Sequence, residues 1–326
     1  MMRVIDFHCD TMGERIARSE GKVGLRSNDC HISLEKMQKG EGLAQFFAIW
    51  IPLHDTAKAL GVTMEPYEYF NFVYGKYLEE MEKNKDIIAP AFCLADIERN
   101  RANGLMTSIL SIEDSVPLDG KIERVQEFYD KGVRLMSLTW NYENSVAYPT
   151  SEDPEIMKKG LKPFGLEVIA KMNELGMIID VSHLNDAGIF DVFKHTKKPI
   201  VASHSNARAL CNHRRNLTDE MLKLLGENGG LTGLNYCAPF MSEEAAKNNL
   251  TTCDDIVRHA LYIKNKAGID AVGFGSDFDG IGNALDFGDY SGMPKVIDAL
   301  SKHFTDDEIE KICWKNAYRV IGESMK

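Results

Sequence analysis

The sequence predicts a (β/α)8 barrel, eight parallel strands each followed by helical chain, and three observations predict it. Short apolar runs alternate with longer, mostly amphipathic stretches through eight repeats. Five of those runs end in an acidic or imidazole side chain, where the strands of a barrel should end. The chain has 326 residues, 44% hydrophobic and 27% charged, enough to bury the core of one such domain over residues 1–326.

The first run, Val4 to His8, closes on His8-x-Asp10. Residues two apart on a strand face the same way, so both side chains can grip one cation, while Cys9 between them faces the core. Taken alone such a triplet is usually a surface accident, and its place at the end of a first strand is what raises it. The second run is Leu43 to Trp50. The interval that follows, about 51–105, holds more than one helix; Asp55 to Gly61 and Tyr67 to Lys83 read as helical, so a helical insertion over or beside the barrel is expected.

The third run, Met106 to Ile112, ends in Glu113 and Asp114. A carboxylate has two oxygens and can bridge two cations, which makes Glu113 the candidate bridge, whereas Asp114 better fits a loop start or helix N-cap. The fourth run, Val133 to Leu138, leads into Thr139, Trp140 and Asn141. The fifth and sixth, Met177 to Val181 and Ile200 to Ser203, repeat one ending, Ser182-His183 and Ser203-His204. A single histidine is more often a core or surface residue than a ligand. Two at the same point of strands about 4.8 Å apart can meet one metal.

The seventh run is Gly230 to Asn235, and the eighth, Ala271 to Ser276, is followed by Asp277, which barrel closure returns beside His8. Asp279-Gly280 reads as turn chemistry, and its Asp-x-Asp-Gly run lacks the downstream Glu of a calcium loop. Helical stretches between the later runs are Lys121 to Lys131, Gly165 to Glu174, Asn185 to Lys194, Thr218 to Gly226 and Cys253 to Lys266. Thr218 has the N-cap form, with Asp219 and Glu220 complementing the helix dipole.

Strand ends of a parallel barrel share one rim, so His8, Asp10, Glu113, His183, His204 and Asp277 should converge. A catalytic zinc takes imidazole and carboxylate ligands with one position open, and a pair needs about twice as many. Two divalent cations bring four positive charges, matched by three carboxylates and a bridging hydroxide. The expected chemistry is binuclear metal hydrolysis.

Composition removes other classes. A net charge of −11 and no basic run interleaved with aromatics argue against a nucleic-acid partner. No apolar stretch reaches the roughly 18 residues of a membrane span, and the opening residues lead straight into a strand, so no membrane partner and a cytoplasmic location are expected. The seven cysteines, odd in number and without Cys-x-x-Cys, read as free thiols. With no Gly-x-Ser-x-Gly elbow, and with Ser182 and Ser203 expected to face away from the rim, a serine hydrolase is set aside.

His8-x-Asp10, Glu113, Ser182-His183, Ser203-His204-Ser205, Arg214-Arg215-Asn216 and Gly275-Ser276-Asp277-Phe278-Asp279-Gly280 together resemble the membrane dipeptidase family. This is the renal dipeptidase type, peptidase family M19, zinc hydrolases on an amidohydrolase-like barrel. The segment His31 to Trp50, with His-x-x-x-x-Lys and then Gly42-Leu43-Ala44-Gln45-Phe46-Phe47, is similar to that family's second strand. The resemblance spans the chain and implies hydrolysis of free dipeptides, with tolerance of a D-residue at the C-terminal side, and a homodimer. It implies one zinc on His8, Asp10 and Glu113 and another on Glu113, His183 and His204, with the native metal open to other divalent ions. A hydroxide bridging the zincs would attack the peptide carbonyl, and Asp277 would carry the proton to the leaving amine.

Arg215 corresponds to the family's carboxylate-gripping arginine, a match for guanidinium geometry, and Tyr236 falls where the family places a tyrosine near substrate. One departure stands out: where the mammalian renal enzyme type has a histidine after the fourth strand, this chain has Trp140. Losing one oxyanion donor costs about 3 kcal/mol unless it is replaced, with Trp140, Asn141 and Tyr142 the candidates at hand. The competing readings are another binuclear hydrolase on the same barrel, such as a lactonase, cyclic amidase or phosphoesterase, and a non-catalytic binding protein.

Overall fold

The computed structural model describes residues 3–326. Its eight staves are β1 (Val4–Asp6), β2 (Gly42–Trp50), β3 (Met106–Glu113), β4 (Val133–Ser137), β5 (Ile178–Asp180), β6 (Val201–Ala202), β7 (Leu231–Leu234) and β8 (Val272–Phe274). Each falls on a predicted run. All pair in parallel in chain order, and β8 returns to β1 through Asp6 and Phe274, which closes the barrel.

The staves read as apolar runs because both of their faces are buried. Ile5, Phe46, Ile109, Leu135, Ile178 and Leu231 belong to one buried cluster, which Val320 and Ile321 of the C-terminal helix Asn316–Ser324 join. Val4, Phe47, Ile49, Leu110, Ile112 and Ile179 belong to a larger one shared with the surrounding helices. Neighbours along a stave thus alternate between the two clusters, the period of two that strand geometry imposes. At Gly275 an added Cβ would lie 1.7 Å from the Ser203 carbonyl oxygen, so this end of β8 approaches the chain after β6 too closely for any side chain.

Helices follow the later staves where amphipathic periodicity predicts them: Glu123–Asp130, Pro163–Leu175, Asp186–His195, Asp219–Glu227 and Cys253–Ala267. Thr218 accepts from the Met221 amide and Asn185 from the Gly188 amide, each satisfying an otherwise free N–H of the first turn. Between β2 and β3 lie helices His54–Ala59, Pro66–Lys83 and Leu94–Ala102. The same interval holds an unpredicted strand, Ile88–Pro90, paired with Met106 to Ser108 on the edge that β4 takes over from Leu110. Three residues carry too little periodicity to be seen in sequence. Among the described residues, no helix is long and apolar enough to cross a membrane, and all seven cysteines are free.

Candidate metal centre

The six candidate residues converge on one rim of the barrel. His8 Nε2 lies 3.3 Å from Asp10 Oδ2, 3.4 Å from Glu113 Oε2 and 4.0 Å from Asp277 Oδ1. The other Glu113 oxygen, Oε1, is 3.0 Å from His183 Nε2 and 3.5 Å from His204 Nε2. Glu113 therefore divides its two oxygens between a carboxylate-rich side and an imidazole pair, the disposition a bridging ligand needs.

Local backbone aims these groups. His183 and Asp277 have φ of 68° and 63°, in the left-handed region, where a non-glycine residue costs of order 1–3 kcal/mol. Each is held there by an amide: His183 Nδ1 is 3.0 Å from Asn141 Oδ1, and Asn235 Nδ2 donates to Asp277 Oδ2 at 2.9 Å. Gly280 supplies close approach instead, since a Cβ there would stand 2.1 Å from Asp10 Oδ2 and 2.4 Å from Asp277 Oδ1.

The tautomers of the imidazole pair follow from their partners. Asn141 Oδ1 can only accept, so His183 Nδ1 carries the proton. Ser203 Oγ donates to Asp180 Oδ2 at 2.7 Å, so its lone pair faces His204 Nδ1, also at 2.7 Å, and receives that N–H. Both Nε2 atoms are then bare, and they sit 3.0 Å apart. Two lone pairs facing at that distance repel unless a cation lies against both. Burial, with Arg215 and His8 close by, holds the pKa of His183 and of His204 well below the ordinary histidine value.

The other side has the opposite electrostatics. Burial works against a charged His8, yet Glu113 and Asp10 outweigh it and raise its pKa well above the ordinary value. Burial, then the neighbouring Glu113, pushes Asp10 up to about 6. Burial pushes Asp277 up to about 8, with Asp10 and Glu113 adding and His8 opposing. Asp10 Oδ1 is buried with no hydrogen-bond partner. Three crowded carboxylates, an orphaned oxygen and two bare imidazole nitrogens form a donor set that divalent cations satisfy and that protons satisfy poorly.

The centre opens on a cavity of about 380 Å3, whose lining includes Glu14, Trp50, Trp140, Asn141, Arg215 and Phe240. Arg215 is 6% exposed, yet among the described residues no carboxylate lies within ion-pair distance of it. Its Nη atoms reach only Ser205 Oγ and the His204 carbonyl, both at 3.4 Å, and its Nε is buried without a partner. A buried, underpaired guanidinium is costly and calls for an anion from outside.

Tyr236 does not meet the expectation of a substrate contact. It is fully buried, its hydroxyl 3.6 Å from Met293 Sδ and its ring edge-on to Phe278 and Phe287. The preceding residue, Asn235, points to the centre in its place, because adjacent side chains at the end of β7 leave on opposite sides. Trp140 lines the cavity, its ring centroid 5.0 Å from that of Trp50 and 6.1 Å from that of His183, and Asp114 holds its backbone N–H at 3.0 Å. Asn141 lines the cavity and also orients His183.

Sequence reasoning missed Asn235, the Asp180–Ser203 support and a third role. Asp279, read as turn chemistry, is 3% exposed and accepts from Thr11 Oγ1 at 2.6 Å and the His31 amide at 2.7 Å, tying the loop after β8 to those after β1. For the last two the only sequence signal was polar residues within three positions of the candidate site residues, at Asp180, Ser203 and Asp279.

A family model described as membrane dipeptidase, peptidase family M19, matches residues 1–326. An uncharacterized dipeptidase of Schizosaccharomyces pombe is 30% identical over 318 residues, 94% of this chain and 74% of the relative. Among solved structures, dipeptidase AC, a metallo peptidase of family M19, aligns with a TM-score of 0.88 at 25% identity over 99% of both chains. A metallo peptidase from Rhodobacter sphaeroides liganded with a phosphinate mimic of the dipeptide L-Ala-D-Ala aligns with a TM-score of 0.89 at 24% identity, again over 99% of both, and shares the fold.

Proposed function

The chain belongs to the membrane dipeptidase family, peptidase family M19, and from that premise we propose that it is a dizinc dipeptidase that hydrolyses free dipeptides, L,D-dipeptides among them. As a member of that family it is a metallo-dipeptidase. The observation that carries the substrate reading is the buried Arg215 guanidinium, without a carboxylate partner, on the same cavity as the carboxylate and imidazole cluster. A free dipeptide ends in the carboxylate such a fork takes in two parallel hydrogen bonds. The phosphinate dipeptide mimic bound by the Rhodobacter sphaeroides peptidase is in keeping with this reading.

His8, Asp10 and Glu113 would hold one zinc, and Glu113, His183 and His204 the other. Bound there, the metal pair would supply a water of lowered pKa and polarise the scissile carbonyl. The chain does the rest. Arg215 anchors the substrate carboxylate and so fixes the register of the peptide bond. Asn141 and Ser203 keep the Nε2 atoms of His183 and His204 free of protons. Asn235 occupies Asp277 Oδ2, which leaves Oδ1, on the His8 side, to take the proton of the attacking water and return it to the leaving amine. The Trp50 and Trp140 rings, edge to face with centroids 5.0 Å apart, give the cavity an apolar wall. The seven free thiols support a reducing compartment, and we place the reaction in the cytoplasm.

The test combines metal analysis of the purified protein with a panel of L,L- and L,D-dipeptides, their C-terminal amides, lactones and phosphoesters. Turnover confined to dipeptides with a free carboxylate is expected; preference for lactones or phosphoesters overturns the reading. Arg215→Ala should raise KM about tenfold or more for dipeptides, as loss of a charged hydrogen bond does, and much less for the amides. Equal effects on both refute carboxylate binding.

A further inference from the structure

One carboxylate on the cavity wall has no part in the reaction just described. Glu14 lies on the π-helical turn Thr11–Ile16 that follows β1, and it lines the same cavity as Asp10, Glu113 and Arg215. Its Oε2 is 2.7 Å from Arg18 Nη1, while its Oε1 is buried and has no hydrogen-bond partner. A desolvated carboxylate oxygen with no donor is costly unless a cation or donor comes to it. Tyr69 gives no such relief: its hydroxyl, too, is buried without a partner.

The order of the staves gives Glu14 its meaning. Arg215 stands on the loop after β6 and Glu14 on the turn after β1, three staves away by the shorter path round an eight-stave rim. The two therefore face each other roughly across the mouth, with the Glu113 cluster between. A dipeptide has a carboxylate at one end and a cationic nitrogen at the other. With its carboxylate at Arg215 and its scissile carbonyl over the cluster, the amino-terminal residue extends toward the β1 side. Of the four carboxylates lining the cavity, Asp10, Glu113 and Asp277 are already assigned.

We propose that Glu14 is a specificity-determining residue, the counter-charge for a cationic nitrogen on the substrate's amino-terminal residue. The proposal rests on the dipeptidase reading. That nitrogen is the α-ammonium of any dipeptide or the side-chain ammonium of a basic one, and Glu14 binds either through the oxygen that Arg18 leaves free.

The experiment measures kcat and KM for the wild-type holoenzyme, Glu14→Gln and Arg18→Met on Ala-Ala, Met-Ala and Lys-Ala. Glu14→Gln should lower kcat/KM about tenfold or more, mainly through KM, with zinc content and Tm unchanged. An equal loss on all three substrates assigns the α-ammonium, and a loss confined to Lys-Ala assigns the side chain. Arg18→Met, which leaves the Glu14 charge in place and removes its competitor, should lower KM for the same substrates. Glu14→Gln within twofold of wild type on all three overturns the proposal, as does an Arg18→Met loss matching that of Glu14→Gln, which would make the ion pair a prop for the turn. A wild-type enzyme that cleaves none of the three would instead fell the dipeptidase reading, which separates the two failures.

Discussion

On one side of Glu113 the candidate metal centre is a single imidazole among carboxylates; on the other it is a pair of imidazoles with no further acid. His8 sits within about 4 Å of oxygens from Asp10, Glu113 and Asp277. His183 and His204 reach a single carboxylate, the shared Glu113, and lie against each other, the His204 ring also 3.9 Å from that of His8 between centroids, and each is steered from behind by a neutral side chain, Asn141 or Ser203. The first side is organised by charge and the second by hydrogen bonds that settle which nitrogen carries the proton. An excess of negative charge attracts a cation without fixing its place, whereas two bare Nε2 atoms at a fixed spacing define a position.

The change expected to do most damage breaks both sides at once. Glu113→Gln should strip metal from both positions and lower turnover by three orders of magnitude or more, about what removing a metal-activated water costs; wild-type metal content with normal turnover would end the bridging role. Asp277→Asn separates charge from chemistry on the first side. It should cut kcat about 10²- to 10⁴-fold with metal retained, while loss of metal in parallel would make Asp277 a ligand of the His8 side.

Ser203→Ala addresses the second side alone. With the His204 Nδ1–H no longer held, affinity at the imidazole pair should fall about 10- to 100-fold, read by chelator competition, while the carboxylate side keeps its affinity. Unchanged affinity would show that packing alone orients His204.

The smallest expected effect is a sign. In metal-stripped protein the raised pKa values of His8, Asp10 and Asp277 mean that the folded state holds protons the unfolded state has released. Their contribution to stability is lost as pH rises, through about 6 for Asp10 and about 8 for Asp277. The lowered values of His183 and His204 act the other way, but only below the ordinary histidine value, where the unfolded state is protonated first. From pH 6.5 to 8.5 the carboxylate side acts alone, so Tm of the stripped protein should fall. The Tm increase on adding zinc should grow over the same interval, because ligands must be deprotonated to bind. A stripped-protein Tm that rises across this window would reverse the assignment of the two sides.

The barrel was legible because burial on both faces writes an apolar run at every stave, even at β6, where only Val201 and Ala202 pair as strand. The helices were legible through 3.6-residue periodicity and caps such as Thr218. Ile88–Pro90 was not, since its pairing depends on the β4 edge starting late. Within the candidate centre, His8, Asp10, Glu113, His183, His204 and Asp277 were nameable because carboxylate and imidazole chemistry belongs to residue type and their places follow from strand ends. Ser203, expected to face away from the rim, is not part of the cavity lining, and what the sequence did not show is that its hydroxyl supports the Nδ1 of His204 from behind.

Tyr236 and Asn235 mark the boundary between the two kinds of knowledge. Adjacent residues at a strand end leave on opposite sides, so one of them faces Asp277 and the other the core, and a one-residue difference in where the strand stops exchanges them. The sequence by itself determined the order of the staves and which chemical groups stand on the rim, because both are local properties of residue type and period. Only the tertiary structure decided which neighbour looks inward, which imidazole nitrogen is bare, and that Arg215 and Glu14 line one cavity. Those depend on barrel closure and register, which are set by pairings between residues far apart in the chain.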